Sequence, residues 1–296
     1  MKKILKITGM ALLSLILLAA AAIVLARYCF RDETVAWVSR LVQNERLESL
    51  RASGAYAEDA DADFRFVYRQ DSVRAKEIRD YFRLDTLYDA SAATWENTRR
   101  IAGFVASNIP HANQTVQPET RNAIELWRYT RSVEPALNCR LHSIMLHELL
   151  LSCGIVNRFV TCLPADSEDC DCHVVNVVWL PESEKWAMID SDMRAWVSDL
   201  SGVPLSLAEM RERFIADEPV EVHHLSDADW GDDDYCSYWA KNLYWFDCWE
   251  ETGYDKEVGY GGRRVVLLPS GFGGFRLGEN VVATSDDGRF WAKPED

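Results

Sequence analysis

The chain has 296 residues, 48% of them hydrophobic, which is enough apolar material for one large core or two modest domains. Its 47 acidic and 32 basic side chains give a formal net charge of −15 at pH 7. A negative field of this size repels phosphate backbones, so the composition argues against nucleic acid as a partner.

The N-terminal residues 1–27 are predicted to form a signal-anchor, or transmembrane, segment. Lysines precede an uncharged stretch at 7–26, which would span about 30 Å as a helix. We therefore expect a membrane anchor, with the main domain on the extracytoplasmic side because the basic flank stays in the cytoplasm. Secretion after signal cleavage is the alternative, since the small residues up to Ala26 are typical of a cleavage site.

Three regions are predicted after this segment. Residues 28–95 form an N-terminal helical region, 96–220 a core domain, and 221–296 an aromatic-rich C-terminal extension with strands. Apolar spacing predicts helices at 32–53, 71–82, 91–107, 123–129 and 139–153. Alternating and β-branched runs predict strands at 155–163, 173–180, 185–189 and 265–268. Ser206 and Glu209 have the spacing of a capping box at the start of a further helix.

The order of a cysteine, a histidine and an aspartate in the core domain suggests thiol chemistry. Cys139 opens a predicted helix, and a thiol at a helix N-terminus loses its proton more readily because the unpaired N–H groups and the helix dipole favour the thiolate. His173 opens a predicted β-hairpin. An imidazole beside a thiolate forms an ion pair with it and later protonates the leaving amine. A carboxylate on the far side of the ring fixes the tautomer.

The hairpin itself predicts a carboxylate beside His173. If the turn centres between Glu182 and Ser183, His173 faces Asp192, and Asp190 lies two residues away on the same face. A shift of the turn by one residue per strand would bring Asp190 directly opposite instead. Local strand pairing therefore does not decide whether Asp190 or Asp192 is the carboxylate that accompanies Cys139 and His173.

Several blocks of this region resemble the transglutaminase-like superfamily. Its nucleophile helix and following strand are similar to residues 138–140, 147–150, 154–155 and 158–160. Its histidine strand and aspartate strand are similar to residues 172–179 and 185–190. The resemblance covers roughly residues 100 to 215. It implies an α+β, papain-like fold in which the nucleophile helix packs on an antiparallel sheet.

The resemblance also implies a role for each residue. Cys139 would be the nucleophile, His173 the general base and acid, and Asp190 the orienting carboxylate, in preference to Asp192. The implied activity is thiol-dependent acyl transfer on peptide or Gln-type amide bonds, by a protease, an amidase or a transglutaminase, with a peptide or protein substrate and no cofactor or metal. The alternative is a catalytically inactive module of the cell envelope that retains the fold for binding.

The sequence departs from the cross-linking members of this superfamily next to the nucleophile. Arg140 follows Cys139, where those members have tryptophan. The backbone N–H of Cys139 could donate to an oxyanion. A second donor could come from the side chain of Gln114, Asn113 or Trp127.

Eight cysteines in an exported chain raise the question of disulfides. Spacing allows Cys153 with Cys162, Cys236 with Cys248, and Cys170 or Cys172 with an unassigned partner. The run from Cys170 to His173 resembles a metal cluster. Paired zinc ligands are usually spaced by two or more residues, so a disulfide or free thiols are expected there instead.

Overall fold

A computed structural model describes residues 43–166, 168–227, 230–257, 260–272 and 278–295, together with Leu15, Ile16, Leu18 and Ala22. The predicted anchor, Cys29 and the first part of the predicted helix 32–53 therefore lie outside the described residues, apart from those four. Within the described ranges, no helix has both the length and the apolar character needed to cross a membrane. The membrane anchor stays a prediction.

Helices occupy most of the first half of the described chain and recur near its end. They are α1 (43–51), α2 (Ser72–Phe82), α3 (Thr94–Asn108), α4 (Ala123–Ser132), α5 (Cys139–Ser152), α6 (Leu207–Ala216), α7 (Asp232–Asn242) and α8 (Asp287–Phe290). Short polar side chains begin many of them, because a helix leaves its first N–H groups without intrahelical partners. The predicted capping box of α6 is confirmed: Ser206 accepts from the Glu209 N–H, and Glu209 accepts from the Ser206 N–H.

Strands form one large sheet and two small ones. They are β1 (Val67–Tyr68), β2 (Asn157–Leu163), β3 (His173–Leu180), β4 (Lys185–Ile189), β5 (Ala195–Ser198), β6 (Glu221–His224), β7 (Trp245–Trp249), β8 (Glu251–Thr252), β9 (Arg264–Leu267) and β10 (Val281–Thr284). The large sheet has the order β10-β9-β7-β2-β3-β4. Its pairs are antiparallel except for β9 with β10. The architecture is α+β, as predicted.

The large sheet separates two hydrophobic cores. Successive side chains of a strand point to opposite faces, and β3 shows this directly. Val174 and Val178 pack with the helices α2 to α5, whereas Val175 and Val177 pack with α6, α7 and the C-terminal strands. A strand that is buried on both faces reads as a continuous apolar run, which is why the sequence predicted β3 well.

The hairpin has the register that a turn between Glu182 and Ser183 predicts. Leu180 pairs with Lys185, and Asn176 pairs with Ile189. Because β4 ends at Ile189, both candidate aspartates lie just beyond the strand, near the first residue of β3. The same end of the sheet meets the N-terminus of α5, and this convergence positions the site.

The disulfides that spacing allowed are not formed in the structure. Cys153, Cys162, Cys170, Cys172 and Cys248 all carry free thiols. For the first pair the reason is the sheet itself: Cys153 packs against the helical core, whereas Cys162 belongs to the core on the opposite face.

Candidate active site

The nucleophile candidate Cys139 is the first residue of α5. The Asn138 side chain caps this helix by accepting from the Leu141 N–H at 3.1 Å. The residue before the cap, Leu137, is tied to a neighbouring loop: its N–H donates to the Pro110 carbonyl at 3.1 Å, and its own carbonyl accepts from the Ala112 N–H at 2.9 Å. These bonds hold the start of the helix against residues 110–112 and leave Cys139 partly exposed.

His173 and Asp190 form a buried hydrogen-bonded pair. His173 Nε2 lies 2.6 Å from Asp190 Oδ2, and both side chains are almost fully excluded from solvent. Asp190 also accepts from the Tyr235 hydroxyl at 3.2 Å and from the Met193 N–H at 2.9 Å. Three donors thus converge on one carboxylate, which fixes its orientation and that of the imidazole.

The surroundings of His173 favour its charged form. Burial alone would lower the pKa of His173, but the negative charge of Asp190, the hydrogen bond to Asp190 and the hydrogen bond with Cys139 outweigh it. The pKa of His173 is therefore raised well above its usual value. This is the balance that a thiolate–imidazolium pair requires.

The second candidate, Asp192, lies on the other side of the site. One ligating atom from each of Cys139, His173 and Asp192 lies within 4.8 Å of the other two. Asp192 is buried and bonded to the half-exposed His111, whose Nδ1 lies 2.8 Å from Oδ1 and 3.0 Å from Oδ2. The buried His142 has its Nε2 3.6 Å from the same carboxylate. The hairpin thus brings both aspartates to the site, each with a different partner.

The side chains of Asp192, His111 and His142 influence one another's pKa values. Burial tends to raise the pKa of Asp192, but the hydrogen bond from His111 and the charges of the nearby histidines lower it overall. The same hydrogen bond raises the pKa of His111. Burial lowers the pKa of His142.

Polar side chains lock α5 onto the sheet behind the site. Ser143 lies one turn after Cys139, and its hydroxyl donates to the Val174 carbonyl at 2.8 Å. Asn176 donates to the Ser143 carbonyl at 3.0 Å, and His147 Nδ1 lies 2.8 Å from Asn157 Oδ1. All of these groups are buried. They set the position of the helix relative to β3 and therefore of Cys139 relative to His173.

Aromatic residues of α7 cover His173. The Tyr238 and Trp239 rings each meet the imidazole edge to face at a centroid distance of 5.4 Å. Together with Tyr235, they give the aromatic-rich C-terminal extension a role in enclosing the site. Sequence reasoning missed this role, because the contacts join residues more than forty positions apart. His111 was missed for the same reason, although its position after Pro110 in a polar loop was a weak signal.

The candidate oxyanion donors are engaged elsewhere or lack a described contact. Gln114 Nε2 donates to the Ala112 carbonyl at 2.6 Å and to the Ala136 carbonyl at 3.1 Å. Trp127 stacks on Phe104 within the helical core. Asn113 is exposed. The Cys139 N–H stands in the first turn of α5, where amides have no intrahelical partner.

Arg140 faces a buried carboxylate. Its Nε and Nη2 donate to the two oxygens of Glu257 at 2.6 and 3.1 Å. Trp249 Nε1 donates to the same carboxylate at 3.2 Å, and Arg121 lies 3.7 Å from it. The residue that replaces the tryptophan of the cross-linking relatives is therefore an anchored side chain, held beside the nucleophile by a bidentate ion pair.

A family model matches the part of the chain that contains Cys139, His173 and Asp190. Residues 83–191 match the model of the transglutaminase-like superfamily, and they include Cys139, His173 and Asp190. This part of the chain is a transglutaminase-like domain, as the sequence predicted. No curated protein matches the sequence.

Two solved structures are similar to the chain. A "putative cysteine protease" from Cytophaga hutchinsonii has 16% identity and a TM-score of 0.32, over 63% of this chain and 66% of that one. A "putative protease" from Parabacteroides distasonis ATCC 8503 has 13% identity and a TM-score of 0.27, over 50% of this chain and 26% of that one. The chain thus spans less than two thirds of the length of either.

Proposed function

We propose that this protein is a thiol-dependent acyl-transfer enzyme that acts on peptide or Gln-type amide bonds. The observation that carries the proposal is the buried hydrogen bond of 2.6 Å between His173 Nε2 and Asp190 Oδ2, together with a Cys139 thiol that lies within 4.8 Å of a His173 ring nitrogen. The transglutaminase-like domain at 83–191 supports it. In this proposal Cys139 is the nucleophile, His173 the general base and acid, and Asp190 the orienting residue.

Each step of the proposed reaction uses a described group. Cys139 Sγ, having given its proton to His173, attacks the amide carbonyl, and the oxyanion accepts from the Cys139 N–H. His173 then gives the proton to the departing amine as the carbon–nitrogen bond breaks, which leaves a thioester on Cys139. Water or a primary amine, deprotonated by His173, attacks the thioester and restores the thiol. Asp190 stabilises the imidazolium throughout.

The proposal is tested with Gln-containing peptides. The full-length chain is incubated with them in the presence and in the absence of a primary amine, and the products are identified by mass spectrometry. Loss of ammonia, peptide cleavage or an amine adduct distinguishes an amidase, a protease and a transglutaminase. Cys139→Ala is expected to abolish the reaction, whereas Cys170→Ser, which changes an exposed loop thiol, serves as the matched control.

Two results would contradict the proposal. One is a Cys139→Ala variant that keeps full activity. The other is a wild-type chain whose Cys139 shows only the slow, alkaline alkylation of an ordinary thiol. The second result would favour an inactive module that retains the fold for binding.

We propose further that residues 7–26 anchor the protein, with the domain on the extracytoplasmic side. The lysines before this uncharged stretch support that orientation. Membrane fractions treated with alkaline carbonate should retain the full chain, and added protease should digest the domain only from the extracytoplasmic face. Release of a chain that lacks residues 1–27 would instead indicate a cleaved signal peptide.

A further inference from the structure

We infer that Cys139, His173 and Asp192 form a zinc site that overlaps the proposed nucleophile, so that Zn²⁺ reversibly blocks the enzyme. Ligating atoms of these three residues lie within 4.8 Å of one another. They come from three separate elements of the fold: the first residue of α5, the first residue of β3 and the loop after β4.

The donor set selects zinc among the common divalent ions. Thiolate and imidazole are preferred by Zn²⁺, whereas Mg²⁺ and Ca²⁺ prefer sites made of oxygen. Zinc bonds of about 2.0–2.3 Å in a tetrahedron separate neighbouring ligand atoms by about 3.5 Å. The ligand atoms of the three side chains therefore need to approach one another by up to about 1.3 Å. Cys139 is partly exposed, and on that side water can complete the fourth position.

The supporting bonds are those of a metal site. Ligating histidines usually donate their other ring N–H to a carboxylate. His173 already does so, because Nε2 is bonded to Asp190 at 2.6 Å. This bond leaves Nδ1 as the ring nitrogen that can bind a metal once its proton is released. Asp192 is likewise held by an outer partner, since His111 Nδ1 lies 2.8 Å from Oδ1.

Zinc and catalysis compete for the same side chains. Coordination forms a zinc–sulfur bond at Cys139 and a zinc–nitrogen bond at His173. The proton that these two groups share is released to solvent. A thiolate that is bound to zinc cannot attack a carbonyl, and an imidazole whose Nδ1 is bound to zinc has no proton there to give to an amine. The exposed Cys170 belongs to no such group of metal-ligating side chains among the described residues. It is therefore a suitable control for zinc binding at Cys139.

The test uses metal binding by the full-length chain and does not depend on a substrate. Co²⁺ replaces Zn²⁺ as a spectroscopic probe, and a thiolate-to-cobalt charge-transfer band is expected in the wild type and absent from Cys139→Ser. Zinc affinity is measured by competition with a chromophoric chelator. Asp192→Asn should weaken it by more than about 100-fold, beyond the 10–100-fold that is typical when an outer partner is changed.

Two further variants keep the test decisive if Asp192→Asn fails to fold. His111→Gln changes the half-exposed outer partner and should weaken zinc binding by about 10–100-fold. Cys170→Ser should leave the affinity unchanged. Zinc should also protect Cys139 from iodoacetamide, and a chelator should restore the labelling.

The outcomes separate this inference from the proposed function. Rapid labelling of Cys139 that zinc does not slow, with no cobalt–thiolate band, would overturn the zinc site and leave the nucleophile intact. A cobalt–thiolate band that survives Cys139→Ser but is lost in Cys170→Ser would place the metal on the loop thiols and also overturn it. Tight zinc binding by a chain whose metal-free Cys139 is unreactive would support the site and count against acyl transfer.

Discussion

Replacing Asp190 with Asn should disable the thiolate–imidazolium pair while leaving the side chain almost unchanged in size. The carboxylate accepts from His173, from the Tyr235 hydroxyl and from the Met193 N–H. An amide offers only one oxygen to these three donors, and its NH₂ group must face one of them. The variant therefore loses both the negative charge beside His173 and the acceptor that fixes its tautomer.

The size of the effect follows from the geometry of the pair. Unit charges about 4 Å apart interact by about 4 kcal/mol at an effective dielectric constant of about 20. This energy corresponds to about 10³-fold in the population of the ion pair. At neutral pH we therefore expect acyl transfer to fall by about 10³-fold in Asp190→Asn.

Two assays measure this loss. Product formation from a Gln-containing peptide gives the change in rate, and the pH profile of Cys139 alkylation gives the change in thiolate population. The matched comparison is Asp192→Asn, which removes the other carboxylate of the site. An Asp190→Asn variant within tenfold of the wild type, or a larger loss in Asp192→Asn, would refute the assignment of Asp190 as the orienting residue.

Three other substitutions test the fold around the site. Tyr235→Phe should lower the free energy of unfolding by about 0.5–1.5 kcal/mol, because one hydrogen bond is lost. It should lower the activity by less than tenfold, because Asp190 keeps its hydrogen bond to His173. Ser206→Ala should cost about 1 kcal/mol in urea unfolding without loss of activity, since it removes only the cap of α6. Burial raises the pKa of Glu148 from 4.5 to about 7, so the folded state holds the extra proton, and its stability falls as the pH rises between these values. The free energy of unfolding of Glu148→Gln, relative to that of the wild type, should therefore increase by up to about 3 kcal/mol between pH 4.5 and pH 8. A difference between the two proteins that does not change with pH would contradict this expectation.

Local sequence information was sufficient for the elements that carry the site. The helix α5 follows from the apolar residues that recur on one of its faces. The doubly buried strand β3 follows from its run of valines, and the hairpin register follows from its turn. These features depend on neighbours within a few residues, so propensity and periodicity can detect them.

Long-range contacts were beyond the reach of the sequence. Strand pairing predicted that two aspartates lie near His173, but it could not show which role each one has. The two aspartates differ in their partners, Tyr235 and His111, which lie far away in the chain. The short strands β5 and β6 were also missed. They are held by pairing with each other and carry little periodic signal of their own.

The rate of Cys139 alkylation as a function of pH tests whether Cys139 and His173 form a thiolate–imidazolium pair. The full-length chain is treated with iodoacetamide in the presence of a chelator, and labelling of each cysteine is followed by mass spectrometry. The exposed Cys170 provides a reference thiol within the same molecule. The expected result is that Cys139 reacts faster than Cys170 at neutral pH, because the charged form favoured for His173 stabilises a neighbouring thiolate. A Cys139 profile that follows the profile of Cys170 would contradict it.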